Sequence, residues 1–236
     1  GTFGDTYGFC NSGTLELYSQ TNLWAYNTVS SAAWGIYSTG QIMTNSRTVI
    51  NATALGSGTE PTYGYGQFGG YTVYLYTVTF YSNSSTNQLS HAVYASNSSI
   101  YINAYEDDIV EIEGLLSLAG ERPSLHIIWN TPESFWIGAT YLPSSGVSYS
   151  VFNLTMSNES TWYFQEYQQR YSNSTDNFNL KLDSGSLLTF SNSIIDLSAR
   201  RPLPFTRYFK SKQYDIAYPP QHVIFDYYTS SKHSLV

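Results

Sequence analysis

Short runs of apolar, β-branched and aromatic residues recur along nearly the whole chain, and Gly, Pro, Ser and Asn separate them. This pattern is typical of β-strands joined by turns. The run "GGYTVYLYTVTFYS" (69–82) is apolar or aromatic on both of its alternating faces, which predicts a central strand. The run "LSHAVYASNSSIYINAY" (89–105) predicts a hairpin that turns near Asn97.

Further runs follow at intervals of about ten residues, a spacing that indicates an all-β sandwich or barrel. They are SLHIIWN, SFWIGATYL, GVSYSVFNLTM, STWYFQEY, NFNLKL, SLLTFS, PFTRYF and HVIFDYY. We find no internal repeat and no linker between domains. The glycine-rich stretch "GSGTEPTYGYGQFGG" (56–70) is interpreted as a long loop.

The segment "EDDIVEIEGLLSLAGE" (106–121) is compatible with a helix or with a pair of strands. A helix would align four apolar residues on one face: Ile109, Ile112, Leu116 and Ala119. Gly114 in the middle and the Ile-Val-Glu-Ile run disfavour a helix. We therefore predict strands.

The same segment holds the densest cluster of carboxylates, Glu106, Asp107, Asp108, Glu111 and Glu113. Calcium prefers such oxygen ligands, but the spacing and the glycine of an EF-hand are absent. In an alternating strand Asp108 and Glu111 face opposite sides. We interpret the cluster as a solvated loop that leads into a strand, without a bound metal.

Other catalytic patterns are absent or scattered. The four histidines are far apart and form no zinc motif: His91, His126, His222 and His233. No nucleophile elbow or phosphate loop is present. One enzymatic alternative remains, an acid glycosidase or glutamic peptidase that uses two carboxylates, with Glu60 and Glu166 as the candidates. The tryptophans are interpreted as core or rim residues: Trp24, Trp34, Trp129, Trp136 and Trp162.

Charged residues make up only 11% of the 236 residues, and the formal net charge is −7. Arg47 is the single basic residue in 1–121, whereas six basic residues lie in the last 37 positions. No basic stripe suggests nucleic-acid binding, and no apolar run approaches the length of a membrane span. A fold with few paired carboxylates has less to lose in acid, which makes an acidic habitat plausible.

Six Asn-x-Ser/Thr sequons occur, at Asn51, Asn83, Asn97, Asn153, Asn158 and Asn173. Each predicts an exposed N-glycosylation site on a secreted protein, although a chain rich in Ser, Thr and Asn also produces sequons by chance. Cys10 is the only cysteine. Together with the first residue, Gly1, these features lead us to expect an extracellular protein from which a signal peptide has been removed.

The opening "GTFGDTYGFCNSG" places Phe3, Asp5, Tyr7 and Phe9 on one side of an extended segment, with glycines between them. One interpretation is the first strand of the chain's own fold. The other is an arm that adds to the open sheet edge of a neighbouring copy. A lone Cys10 near the end of this arm is either a small buried residue or an intermolecular link.

These features resemble the subunit of the archaeal thread, a glycosylated surface filament of thermoacidophilic archaea. The resemblance lies in the GTFGDTYGFC arm, the strand-only body, the six sequons and the Tyr-rich, charge-poor composition. It implies an all-β, Ig-like or pilin-like β-sandwich head at residues 14–236. It also implies a donor-strand tail at residues 1–13, anchored in the adjacent subunit by Phe3, Tyr7 and Phe9.

We therefore expect a non-enzymatic subunit of an extracellular, glycosylated filament that polymerises head to tail by donor-strand complementation and serves adhesion or biofilm formation. The expected partners are identical subunits, other cells or surfaces, but not nucleic acid, and no cofactor is expected apart from N-linked glycans. The alternatives are a secreted binding module or coat component, and the acid hydrolase that uses Glu60 and Glu166.

Overall fold

The computed structural model describes residues 4–28, 31–44, 48–57, 60–84, 89–103, 108–143, 146–164, 187–191, 194–196 and 222–226. These residues form 22 strands, numbered β1 to β22 in chain order, and every strand pairing among them is parallel. The strands build three sheets around one interior, so the chain is a β-solenoid.

The three sheets run along the solenoid. Sheet A contains β1 (Thr6–Asn11), β4 (Ala33–Ser38), β7 (Thr62–Gln67), β10 (Ser90–Ser96), β13 (Leu115–Glu121), β16 (Thr140–Tyr141) and β17 (Val147–Ser148). Sheet B contains β2 (Thr14–Leu17), β5 (Gln41–Thr44), β8 (Thr72–Leu75), β11 (Ser99–Ile102), β14 (Ser124–Trp129), β18 (Val151–Met156), β20 (Leu187–Ser191) and β22 (His222–Asp226). Sheet C contains β3 (Thr21–Asn27), β6 (Ile50–Gly56), β9 (Val78–Ser84), β12 (Val110–Glu113), β15 (Phe135–Gly138), β19 (Thr161–Phe164) and β21 (Ile194–Asp196).

One strand from each sheet makes one turn, which we call a coil. Coil 1 spans residues 6–27, coil 2 33–56, coil 3 62–84, coil 4 90–113, coil 5 115–138 and coil 6 140–164. Equivalent positions in sheet A recur every 24 to 29 residues, at Tyr7, Trp34, Tyr63, His91 and Leu115.

The predicted Ig-like or pilin-like β-sandwich with a donor strand is wrong. A sandwich is built from antiparallel strands and hairpins, whereas here each strand pairs with its counterparts in the adjacent coils. β1 pairs in parallel with β4 of the same chain, so residues 6–11 are part of the solenoid. β1, which lies within the predicted tail at 1–13, therefore shares a sheet with strands of the predicted head at 14–236.

Several local predictions change with the architecture. The predicted hairpin at 89–105 is two strands, β10 and β11, that belong to different sheets. The predicted central strand at 69–82 lies across β8 and β9, which bend at Thr77, where φ is 26°. The predicted loop at 56–70 contains β7. The chain does contain an internal repeat, which we did not find in the sequence. The repeating unit is the coil, with one strand in each of the three sheets.

The prediction of strands over helix in the segment 106–121 is confirmed. β12 and β13 occupy it, and Gly114 joins them at φ 131°. The alternation within β12 is also as expected, because Val110 and Ile112 are buried while Glu111 and Glu113 are partly exposed. None of the described segments forms a helix long and apolar enough to cross a membrane.

Aligned apolar side chains from all coils fill the interior. Alternation along each strand sends every second residue inward, as in β14, where Leu125, Ile127 and Trp129 are buried. In sheet C the inward row runs from Leu23 through Ala52, Phe80 and Ile112 to Trp136 and Trp162. The inward side chains of this row thus increase in size from alanine in coil 2 to stacked indoles in coils 5 and 6.

Glycines allow sheet A to approach sheet C closely in the first coils. A Cβ atom on Gly8 would lie 3.0 Å from the Trp24 carbonyl oxygen of sheet C, and one on Gly35 would lie 3.1 Å from the Thr53 nitrogen of the same sheet. A Cβ at either position would also lie 2.5 to 2.6 Å from the next glycine carbonyl within sheet A, so these positions of the first coils require glycine.

Candidate binding surfaces

The carboxylates singled out from the sequence are described only in part. Glu60 is exposed ahead of β7, whereas Glu166, Glu106 and Asp107 lie outside the described residues. Among the residues that the structure describes, no three His, Cys, Asp or Glu side chains come close enough to hold a metal ion. The predicted pairing of Glu60 with Glu166 for glycoside cleavage therefore stays a prediction.

Asp108 departs from the predicted solvated loop because it is buried. Its backbone N–H donates to Asn103 Oδ1 at 3.2 Å, and Asn103 Nδ2 donates back to the Asp108 carbonyl at 3.1 Å. Glu111 lies on the outer face of sheet C and accepts a hydrogen bond from Thr79 Oγ1 at 2.9 Å. These contacts give the acidic segment a structural role in closing coil 4.

The two histidines with described side chains lie on different sheets. His91 is on sheet A and His126 on sheet B, while His222 lies in β22 and His233 is outside the described residues. His91 Nδ1 is 2.7 Å from Ser117 Oγ, but both residues are buried. Burial lowers the pKa of His91 to about 3, so the imidazole is neutral. A hydroxyl that is shielded from solvent in this way is a packing partner and not a nucleophile.

Eight rings cover the outer face of sheet A, and we call them the sheet A aromatic cluster: Tyr7, Trp34, Tyr37, Tyr63, Phe68, His91, Tyr94 and Tyr141. Trp34 stacks on Tyr63 with centroids 3.7 Å apart and planes 5° apart. Tyr63 stacks in turn on His91 at 4.8 Å. Burial, with the neighbouring Tyr94 and Glu60, raises the pKa of Tyr63. The cluster acts as a second, external core.

Asp5 holds the first strand onto this cluster. Its carboxylate accepts hydrogen bonds from the Ala32 N–H at 3.1 Å, from Trp34 Nε1 at 3.3 Å and from the Tyr7 hydroxyl at 3.3 Å. The carboxylate thus links the residues ahead of β1 to the entrance of β4, which explains how a glycine-rich segment stays attached to its own chain.

The three predicted donor anchors have different environments. Phe3 lies outside the described residues. Tyr7 is partly exposed and meets Tyr37 edge to face, at 5.5 Å between centroids. Phe9 is aligned with Ile36, a core residue of the next coil. Cys10 is exposed on the same strand and lies beside Tyr37 in the register.

A second row of rings lies on the outer face of sheet B, and we call it the sheet B column. Tyr74 stacks on Tyr101 at 4.8 Å, and Tyr101 stacks on His126 at 4.2 Å with planes 4° apart. Burial lowers the pKa of His126. The column ends at Asn153, whose Nδ2 is 3.0 Å from His126 Nδ1.

The described sequon asparagines all lie outside the core. Asn97 and Asn158 are exposed in turns at φ 51° and 49°, and Asn83 is exposed on β9. Asn51 and Asn153 are half-buried within strands, each with a side-chain partner. Asn173 lies outside the described residues.

Coil 1 presents the most exposed rings of the described sheets. Trp24 is 69% exposed and Tyr26 is 62% exposed, and both point outward from β3. Tyr18, which follows β2, is also exposed. Within the described ranges, no strand pairs with the outer edges of β1, β2 and β3. This end of the solenoid therefore combines open backbone groups with apolar rings.

Comparisons of the chain with family models, with curated proteins and with solved structures find no significant match. The resemblance to the archaeal thread therefore stays a prediction.

Sequence reasoning missed both outer rows of rings. A signal for one of them was available, because Tyr7, Trp34, Tyr63 and His91 are aromatic at intervals of 27, 29 and 28 residues. Gly8, Gly35 and Gly64 keep the same intervals one position later. The changing identity of the rings and the unequal loops conceal this periodicity from a search for identical residues.

Proposed function

We propose that this chain is a non-enzymatic structural subunit of an extracellular surface filament, in which solenoids assemble end to end. The observation that carries the proposal is the outer edge of coil 1. There β1, β2 and β3 present one side without a pairing strand in the described part of the chain. Parallel strands of a second copy, added in the same sense, would continue all three sheets.

The exposed side chains of coil 1 favour association with a second copy of the chain. Proteins commonly protect exposed strand edges with Lys, Pro or inward-pointing charges. Coil 1 contains no Lys or Arg, and its exposed large side chains are mainly rings, including Tyr18, Trp24 and Tyr26. Exposed apolar surface of this kind is typical of interaction sites.

The geometry of such an assembly is heterologous, because the edge of coil 1 would meet a different end of the next copy. Heterologous contacts that do not close into a ring produce open filaments. This replaces the predicted donor strand with stacking of whole coils, and it keeps identical subunits as the partners. Glycans on the outward asparagines would cover the lateral faces and leave the ends of the solenoid free to contact the next subunit.

The experiment is negative-stain microscopy and mass photometry of the purified chain over a range of concentrations. We expect filaments that grow with concentration. The double substitution Trp24→Glu and Tyr26→Glu places charges beside the open edge and is expected to shorten or abolish them. The matched control is Tyr149→Glu, because Tyr149 is 74% exposed but lies in coil 6.

Two results would reject the proposal. One is a chain that stays monomeric at every concentration. The other is filaments that form equally well in the Trp24→Glu, Tyr26→Glu variant, provided that its thermal unfolding shows an intact solenoid.

A further inference from the structure

A groove opens on the outer face of sheet B where its pairing is weakest. β5 and β8 share a single aligned pair, Met43 with Tyr74, whereas β8 and β11 are aligned along four residues. Thr44 Oγ1 donates to the Tyr74 carbonyl at 3.0 Å beside this gap. The separation leaves a groove of about 390 Å³ that is lined by Gln41, Met43, Thr44, Thr72, Tyr74 and Tyr76.

The lining of the groove is neutral and has two kinds of surface. Met43 and Tyr74 are 39% and 40% exposed and provide an apolar floor. Gln41, Thr44 and Thr72 provide amide and hydroxyl groups that donate and accept hydrogen bonds. Pockets that bind small molecules are usually mostly apolar, with a few polar groups that fix the ligand.

Tyr74 is also held by stacking on a neighbouring ring. It is the first ring of the sheet B column and stacks on Tyr101, which stacks on His126. A ring that is already ordered loses little side-chain entropy when a ligand packs against it. The column therefore orders the Tyr74 ring, part of the floor of the groove, before a ligand binds.

The charges around the groove select the class of ligand. Among the lining residues that the structure describes there is no Lys, Arg or His, so none of them would supply a cation to a phosphate or carboxylate that loses its hydration. Glu16, the nearest acidic residue in the register, is aligned with Met43, and its carboxylate accepts a hydrogen bond from the Tyr18 hydroxyl. An anionic ligand would meet this carboxylate, whereas a neutral one would not be repelled.

We propose that this groove binds a neutral oligosaccharide, namely a short segment of a polymer of hexopyranose sugars. The C–H faces of a pyranose ring match an apolar floor of tyrosine and methionine, and its hydroxyls match the Gln and Thr rim. The volume of about 390 Å³ is at the low end of small-molecule pockets, so it accommodates a short segment while the polymer continues along the outer face of sheet B. This site does not depend on filament assembly.

The test uses the full chain produced without glycans, so that sugars of the protein itself do not compete. Maltohexaose, cellohexaose and mannohexaose are titrated by calorimetry and by saturation-transfer NMR. We expect at least one of them to bind with its NMR contacts on tyrosine rings. Tyr74→Ala is expected to weaken that binding by about tenfold. This corresponds to about 1.4 kcal/mol of binding free energy, which is in the range of an aromatic contact.

A second variant and a control separate binding from folding. Gln41→Ala changes an exposed rim residue without touching the ring column, and it is expected to weaken binding several-fold. Tyr149→Ala removes a more exposed ring elsewhere and is expected to leave binding unchanged. The proposal is overturned if none of the three hexasaccharides binds at millimolar concentration. It is also overturned if Tyr74→Ala and Gln41→Ala bind as tightly as the parent chain.

Discussion

The indole rings of Trp136 and Trp162 lie parallel in the interior, with centroids 4.6 Å apart and planes 6° apart. Each ring also donates a hydrogen bond to a glycine carbonyl, Trp136 Nε1 to Gly114 at 3.2 Å and Trp162 Nε1 to Gly138 at 3.0 Å. The same contact thus recurs in successive coils. It combines stacking with satisfaction of the buried indole N–H groups.

Removing the Trp162 ring is expected to destabilise the solenoid strongly. Trp162→Ala leaves a large cavity against Trp136 and should lower the free energy of unfolding by about 3–5 kcal/mol. Trp162→Phe keeps a ring in the stack but loses the bond to Gly138, so its effect should be smaller. Urea unfolding of both variants checks the order, and equal effects would contradict a role for the stack.

Gly138 is expected to tolerate no side chain. Its φ of 154° and the close approach of the Gly114 carbonyl leave no room for a Cβ atom. Gly138→Ala should therefore lower the free energy of unfolding by about 1–3 kcal/mol or prevent folding. Gly13→Ala is the matched control, because nothing lies within 4 Å of a Cβ at Gly13. Similar unfolding midpoints for the two variants would refute the steric argument.

His91 is expected to make the fold less stable in mild acid. Its folded pKa is about 3, whereas an unfolded histidine titrates near 6.5. Between these values the unfolded chain binds the extra proton, so this residue contributes a loss of stability as the pH falls from about 6.5 towards 3. The slope reaches at most about 1.4 kcal/mol per pH unit.

His91→Phe retains a ring in the stack and removes this titration. Urea unfolding at pH 4, 5, 6 and 7 should show a shallower loss of stability in the variant than in the parent chain. His126→Phe, on the half-exposed sheet B column, serves as the comparison for a second histidine whose pKa burial also lowers. An unchanged pH slope in His91→Phe would show that His91 is not the group responsible.

Asp5 is expected to anchor coil 1. Asp5→Ala removes the acceptor of three donors, among them the N–H of the buried residue Ala32, and should cost about 1–2 kcal/mol. Asp5→Asn keeps an acceptor oxygen and should cost less. Limited proteolysis reports whether residues 6–27 become more sensitive in Asp5→Ala, and identical cleavage rates in all three proteins would argue against the anchor.

Glycosylation is expected to follow local exposure. Asn97 and Asn158 lie in exposed turns and Asn83 is exposed, so these three sites should carry the highest occupancy. Asn51 and Asn153 are half-buried, so they should be modified less. Glycopeptide mass spectrometry of the native protein measures the order, and a reversed order would indicate that glycans are added before the strands form.

Local patterns in the sequence predicted where many of the strands lie. They did not predict which strands pair with each other. Alternation placed Val110 and Ile112 inward correctly, and Gly114 marked the break between two strands. The same alternation occurs in antiparallel and parallel sheets with a buried face, so it did not distinguish a hairpin at Asn97 from two strands of different sheets. That distinction depends on partners 23 to 28 residues away.

The candidate site shows the same limit. The sequons are local patterns, and among the described ones Asn83, Asn97 and Asn158 are exposed whereas Asn51 and Asn153 are half-buried. The groove beside Tyr74 arises where two strands separate, and the sheet A aromatic cluster arises from rings in several coils. No short segment contains that information.

The increase in the size of the inward side chains of sheet C from coil 2 to coil 6 has a mechanical consequence. In a solenoid each turn is held mainly by its two neighbours, so tension along the axis separates turns one at a time. Turns joined through alanine and glycine share less apolar area than turns joined through stacked tryptophans. Among the described turns, coils 2 and 3 would therefore separate under tension before coils 5 and 6.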